Sequence, residues 1–405
     1  MLVEREMYMS RIRPFIGKNI VKVLTGIRRS GKSVMLELIK KELRETGVSD
    51  SNFFSYNFED LALSSLCTAE ALNNEILRRR EGTEGKVYLF FDEIQEVKEW
   101  EKTVNSLRAT IDCDIYITGS NAKLLSSELS TYLAGRYVEF VIYPFSFSEF
   151  LTLYRLSFPK EGIPECFRKY MTLGGMPYLS VLNYNSEAAK IYLEDTYTSI
   201  ALKDIAKRNN IRDIDLLERV MAYLAENIGR TFSALSISKY FKSEFRKVSV
   251  DTILNYIRFS MEAFLFYQVK RENVAGKEIL STNEKYYIAD QGLREAKYGN
   301  NEKDVELVLE NIVFMELLRR GYTVHTGRVG DKEIDFIATK QSEKIYVQVT
   351  YLLAGESTIE REFGVYSLVS DNWPKYVVSM DEFNMSRDGI KHMKVRDFLL
   401  ADKWN

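Results

Sequence analysis

Histidine, cysteine and proline are scarce in this 405-residue chain, with two, three and six copies. The histidines, His325 and His392, lie far apart and read as ordinary surface or core residues. Cys67, Cys113 and Cys166 have no close spacing, which excludes a zinc cluster, and their odd count argues against a disulfide framework. No Pro-rich or Gly/Ser-rich linker appears, so short structured segments are expected to join the domains. No apolar run approaches the ~18 residues of a membrane span. The N-terminus, MLVEREMYMSRIRPF, is charged where a signal peptide would be apolar. A soluble cytoplasmic protein with no membrane partner is expected. The net charge of -2 leaves the question of a polyanionic partner to local patches. No internal repeat is visible.

Aromatic residues, by contrast, are plentiful: 25 Tyr and 23 Phe in a chain that is 45% hydrophobic. The length suits roughly two to four domains, each able to bury a core.

Residues 26–33 satisfy G-x-x-x-x-G-K-S through Gly26, Gly31, Lys32 and Ser33. A strand-like IVKVLT precedes them and a helix-like VMLELIKKEL follows. In that context the glycines let the chain bend around phosphates, and the backbone N–H groups of Gly26, Ile27, Arg28, Arg29, Ser30, Gly31, Lys32, Ser33 and Val34 are candidate anion donors. Lys32 can reach the β- and γ-phosphates, and Ser33 can hold Mg²⁺. The apolar run VYLFFDEIQEV reads as a buried parallel strand ending in Asp92 and Glu93. Asp92 would order Mg²⁺ and Glu93 would activate water. A third strand, in CDIYITGSNAKLL, ends in Thr118, Gly119, Ser120 and Asn121, and either Ser120 or Asn121 could sense the γ-phosphate. Arg136, ahead of YVEFVIY, could stabilise transition-state charge in its own chain or in a neighbour's site. The expected cofactors are ATP and Mg²⁺.

Together VLTGIRRSGKS, YLFFDEIQ, YITGSN and LAGRYVEFVIYPFSFSEF resemble the AAA-type ATP-binding proteins that carry a C-terminal DUF4143 domain. The resemblance spans almost the whole chain, and its arginine before the phosphate-loop glycine corresponds to Arg29. It implies an additional-strand P-loop core with a parallel sheet, helices on both faces and nucleotide at the strand carboxyl ends.

The expected class is therefore α/β, with four parts. Residues 1–150 form the P-loop, AAA-like NTPase core. Residues 151–205 form a helical lid, centred on a Gly174-Gly175-Met176-Pro177 turn of a kind the family also carries. Residues 206–295 read as three helices and a β-wing turning near Gly276, a winged-helix-like domain. Its helices are DIDLLERVMAYLAENIG, a segment capped at Thr231 or Ser233, and SVDTILNYIRFSMEA. DNA is a candidate partner for residues 206–290. Residues 201–250 hold 10 Lys/Arg against 6 Asp/Glu, but the third helix offers only Asp251, Thr252, Asn255 and Arg258.

Residues 296–405 open with DVELVLENIVFMELLRRGY, which reads as a long amphipathic helix, and continue as an α/β unit resembling the PD-(D/E)xK nuclease fold. Asp335 matches the first aspartate of that motif, and Glu310 or Glu316 its helix acid. Gln348 stands where the second acid belongs and Thr350 where the lysine belongs. Gln348 holds a hard cation more weakly than a carboxylate does, so a weak, degenerate metal site at Asp335 and no cleavage are expected. The leading function is a Mg²⁺-dependent ATPase whose cycle rearranges the C-terminal modules. The other readings are a nucleotide-switched DNA-binding protein, a scaffold for a protein partner and, behind these, an active nuclease. The sequence leaves homo-oligomerisation open.

Overall fold

The computed structural model describes residues 3–122, 133, 135–243, 248–274, 278–299 and 304–404. The turn at Gly276 and part of the basic KSEFRK segment lie outside these. The chain divides into two compact units, Met1–Tyr143 with Glu262–Phe264, and Pro144–Met261 with Leu265–Asn405.

The first unit is built on a five-stranded parallel sheet. Its strands are β1 (Val21–Thr25), β2 (Phe53–Asn57), β3 (Val87–Asp92), β4 (Cys113–Thr118) and β5 (Tyr137–Val141), in the order β2-β3-β4-β1-β5. Runs such as VKVLT and CDIYIT are buried at every position because both sheet faces are covered. On one face Val21, Val23, Leu89, Phe91 and Ile117 pack with α3 (Ala69–Glu81) and α4 (Trp100–Thr110). On the other, Leu24, Phe90 and Tyr116 pack with α1 (Glu6–Ile12) and α2 (Lys32–Glu45). The placing of β4 between β1 and β3 is the additional-strand arrangement, and it makes this unit an α/β P-loop core.

The second unit begins with helices. They are α5 (Phe147–Ser157), opened by a Ser146–Glu149 capping box, α6 (Ile163–Leu173) and α7 (Ser186–Ser199), which runs on as a π-helix over Ile200–Lys207. The Gly174–Gly175 turn is a packing joint. A Cβ on Gly175 would stand 2.2 Å from the Phe145 carbonyl oxygen, and the Gly175 N–H donates to Asp290 Oδ2 at 2.6 Å.

Next come α8 (Ile214–Glu226), β6 (Thr231–Phe232), α9 (Ala234–Ser243) and α10 (Val250–Glu262), followed by the hairpin of β7 (Phe266–Asn273) and β8 (Glu278–Ile288). Of the two expected caps, Ser233 takes the role, accepting the Ser236 N–H at 3.1 Å, while Thr231 lies in β6. After α11 (Gln291–Tyr298) come α12 (Val305–Arg319), β9 (Thr323–Val329), β10 (Lys332–Lys340), β11 (Glu343–Val349), α13 (Glu356–Gly364), β12 (Lys375–Ser379), β13 (Lys391–Lys394) and α14 (Val395–Leu400). One eight-stranded sheet runs β13-β12-β11-β10-β9-β7-β8-β6. The segments read as 206–295 and 296–405 thus share a sheet, joined where β7 pairs in parallel with β9.

One expectation needs correction. Helix α12 is not amphipathic, for it is buried all round from Val308 to Leu317. Its polar residues Glu310, Asn311, Glu316 and Arg319 are buried too, and each has partners inside the unit. Among the described residues, no helix is long and apolar enough to cross a membrane.

Candidate active site

The loop between β1 and α2 is shaped by backbone that ordinary side chains resist. Gly26 (φ 135°) and Gly31 (φ 99°) have positive φ, and so does Arg29 (φ 64°). Gly26 admits no side chain, since a Cβ would fall 2.2 Å from the Ile142 carbonyl oxygen just beyond β5. Gly31 caps α2, whose first residues are Lys32, Ser33 and Val34. The helix N-terminus thus follows directly on the loop.

Buried Lys32 donates to the carbonyl oxygens of Gly26 and Ile27, at 3.1 Å each. Ser33 and Val34 are exposed. Arg28 reaches Glu59 at 3.2 Å. Buried Arg5, which the sequence reading passed over, donates to the Ser30 carbonyl at 3.0 Å and to that of Tyr143 at 2.8 Å, with its guanidinium over the Tyr8 ring. The Ser30 hydroxyl is buried with no hydrogen-bond partner among the described residues. A helix N-terminus, an exposed Ser33 hydroxyl, a lysine resting on loop carbonyls and an orphaned Ser30 hydroxyl fit a phosphate with its Mg²⁺.

The acids stand at the same carboxyl edge. Asp92 ends β3 and is buried, and Glu93 follows in left-handed backbone (φ 53°). The Thr118 hydroxyl, at the end of β4, donates to Asp92 Oδ1 and accepts the Glu93 N–H at 2.9 Å. Ser120 donates to Glu93 Oε2 at 3.4 Å, and Gln95 also donates to that oxygen. Asn121 is buried next in line. The Gly119 N–H donates to the Leu24 carbonyl at 3.1 Å, which sets this turn against the strand that enters the loop. Loop, polar turn and acids therefore follow the adjacent strands β1, β4 and β3.

Arg136 lies at the other end of the sheet. It precedes β5, which runs parallel to β1, and its carbonyl accepts the Val21 N–H at 3.0 Å. Five residues of strand, roughly 16 Å, separate Val21 from Gly26. Its exposed guanidinium donates to Asn105 at 3.2 Å. Strand direction thus carries Arg136 away from its own phosphate loop.

Residues 18–151 match the family model described as an AAA domain. An uncharacterized protein of Haemophilus influenzae is 38% identical over 400 residues, which cover 98% of this chain and 99% of that protein. The chain belongs to this family of AAA-domain proteins. Uncharacterized protein MJ1544 of Methanocaldococcus jannaschii is 29% identical over 394 residues, 94% of this chain and 85% of that protein. The sequence resemblance pointed to DUF4143 for the C-terminal part. The model that matches beyond the AAA domain is a domain of unknown function, DUF8612, over residues 164–304. Among solved structures, the Aeropyrum pernix ORC1 protein in complex with DNA is similar at a TM-score of 0.35 and 12% identity, covering 73% of this chain and 92% of that one. The Aeropyrum pernix ORC2 protein is similar at 0.38 and 10%, covering 78% and 93%.

A second polar cluster lies in the other unit. Asp335 sits on β10 where the pairing with β9 shifts register, between Ile334 and Ile337. Its N–H donates to Gln348 Oε1 at 2.6 Å, and its Oδ2 accepts the Val349 N–H at 2.8 Å. Gln348 in turn donates to Glu362 at 2.8 Å, and Thr350 to Glu306 at 3.1 Å. Of the two helix acids, Glu310 belongs here, whereas Glu316 pairs with Arg319 and Arg320. No sequence signal marked Lys285. It reaches in from β8, with Nζ 3.0 Å from Glu310, 2.8 Å from Glu333 and 3.7 Å from Asp335. Burial works against the Lys285 charge, but Glu310, Asp335 and Glu333 outweigh it and hold the ammonium above the usual lysine range. Burial, then the charge of Glu310, pushes the Asp335 carboxyl well above the carboxylate range, with Lys285 opposing. Among the described residues, no group of three or more His, Cys, Asp or Glu is placed to hold a metal ion.

Proposed function

We propose that the first unit binds MgATP on the β1–α2 loop and hydrolyses it. The observation that supports this most is the row of phosphate-loop, polar-turn and acid residues along three adjacent strand ends. Lys32 would leave its loop carbonyls for the β- and γ-phosphates. Ser33 and Asp92 would hold Mg²⁺, which supplies charge neutralisation between those phosphates. Glu93 would orient and deprotonate the attacking water, and Ser120 or Asn121 would read the γ-phosphate. Arg136, pointing away from its own loop, would serve the site of a second copy in a homo-oligomer.

The C-terminal unit would be what the nucleotide cycle moves. The order α8-β6-α9-α10-β7-β8, with β6 on β8, supports a winged-helix-like part. The order α12-β9-β10-β11-α13-β12 supports a nuclease-like part without cleavage. On the exposed side of α10, Arg258 is the one cation beside Asp251, Leu254 and Asn255. A DNA partner would therefore be held weakly by this helix, and a protein partner is the second reading.

The test is steady-state ATP hydrolysis with Mg²⁺, with and without double- and single-stranded DNA. Lys32→Ala should lose nucleotide binding. Glu93→Gln should bind ATP and lose turnover. Wild-type turnover in Glu93→Gln would remove Glu93 from its role. Stimulation by DNA that fades with added salt would favour the DNA partner, and indifference to DNA the protein partner.

A further inference from the structure

The cluster around Lys285 does more than lack the usual nuclease residues. Three carboxylates, Glu310 from α12 and Glu333 and Asp335 from β10, converge on one locus. Ionised carboxylates inside a protein are paired with a cation or coordinate a metal. In a metal-dependent site that cation is divalent and takes its oxygen ligands directly. Here the locus holds an ammonium instead. The Lys285 side chain is only 5% exposed. It starts from β8, beside the register shift at Val269/Arg271 where the β7–β8 ladder is interrupted.

The oxygens facing the locus are already engaged. Glu310 Oε1 accepts Lys285 and the Tyr287 hydroxyl, the latter at 2.5 Å. Glu333 Oε1 faces Lys285, and its Oε2 lies 3.4 Å from Arg271. Asp335 Oδ1 faces Lys285 at 3.7 Å while its Oδ2 is taken by the Val349 N–H, and both ends of the Gln348 amide are held by Asp335 and Glu362.

We propose that the Lys285 ammonium is the resident cation of this cluster, standing where a divalent ion would stand, so that it closes the locus to metal and pins the β7–β8 hairpin to α12 and β10. This deepens the reading of residues 296–405 as a nuclease-like module without activity, and it is independent of the nucleotide site. The lysine that the sequence lacks at Thr350 is supplied from outside the motif, as a plug.

The experiment is thermal unfolding of the full chain, free of nucleotide, in rising Mn²⁺, for wild type, Asp335→Asn, Lys285→Met and Lys285→Met/Asp335→Asn. Wild type and Asp335→Asn should respond to Mn²⁺ alike. Lys285→Met should melt about 10 °C lower, since a buried pair has lost one partner. Mn²⁺ should restore most of that loss, and the double variant should not recover. A wild-type rise that Asp335→Asn abolishes would overturn the proposal, as would a folded Lys285→Met blind to Mn²⁺. Should Lys285→Met fail to fold, the comparison of wild type with Asp335→Asn decides alone. Plasmid nicking by wild type with Mn²⁺, lost in Asp335→Asn, would also overturn it, by making Lys285 part of a working nuclease. Loss of the ATPase reading, seen with Glu93→Gln, would leave these outcomes unchanged.

Discussion

The Thr118 hydroxyl donates to Oδ1 of Asp92, and the Thr118 hydroxyl oxygen itself accepts the N–H of Glu93 at 2.9 Å. One side chain from β4 thus fixes both the orientation of Asp92 and the left-handed turn that presents its neighbour. Thr118→Val keeps the shape and removes both bonds. It should lower kcat by roughly 10- to 100-fold, as loss of an orienting partner does. ATP affinity should change little. A kcat within twofold of wild type would show that the acids need no such support.

Arg136 and Lys32 belong to opposite ends of the sheet. If Arg136 completes a neighbour's site, Lys32→Ala and Arg136→Ala should each be inactive alone. Their mixture should recover part of the ATPase rate, because some interfaces then pair an intact loop with an intact arginine. A mixture no faster than its parts, at concentrations where wild type is active, would remove Arg136 from catalysis.

Gly26→Ala places a methyl group 2.2 Å from the Ile142 carbonyl oxygen and in a φ of 135°. The first unit should lose about 2–3 kcal/mol, by denaturant midpoint, together with nucleotide binding. An unchanged midpoint would mean that the segment after β5 yields freely.

Asp290 accepts N–H bonds from Gly175 at 2.6 Å and Gly292 at 2.9 Å, yet burial raises its carboxyl to about 6. A folded value above the unfolded one means that the native state holds the proton more tightly. The stability contributed is present in full below pH ~4 and falls away as pH rises through about 6. Asp290→Asn does not titrate. The stability of wild type relative to this variant should therefore fall by on the order of 2–3 kcal/mol between pH 4 and 7. A pH-independent difference would place the Asp290 proton elsewhere.

The P-loop core was legible in sequence because its signals are local. Gly26 to Ser33 sit in one turn, and Asp92-Glu93 end one apolar run. What escaped depends on neighbours far apart in the chain. Thr118 gains its place only when β4 lies beside β3. The distance of Arg136 from its own loop follows from strand direction, which no motif states. Helix α12 carries Glu310, Asn311, Glu316 and Arg319, so its pattern mimics a half-exposed helix although partners bury every face. Lys285 was invisible for the same reason: its three carboxylates lie 25, 48 and 50 residues onward in the chain. Arg5 stands outside every motif, yet it braces the Ser30 carbonyl of the phosphate loop.

The seam between β7 and β9 bears on how this protein can be taken apart. The region of similarity to DUF8612 stops at residue 304, between α11 and α12, so a fragment trimmed to that limit keeps β6, β8 and β7 and discards β9. The cut would bare the β7 strand, whose unpaired N–H and C=O groups invite association with other chains. It would also strand the Lys285 ammonium without its carboxylates. Sequence kinship and physical cohesion thus draw different borders here, and an expression fragment that respects the second must run from residue 144 to the end of the sheet.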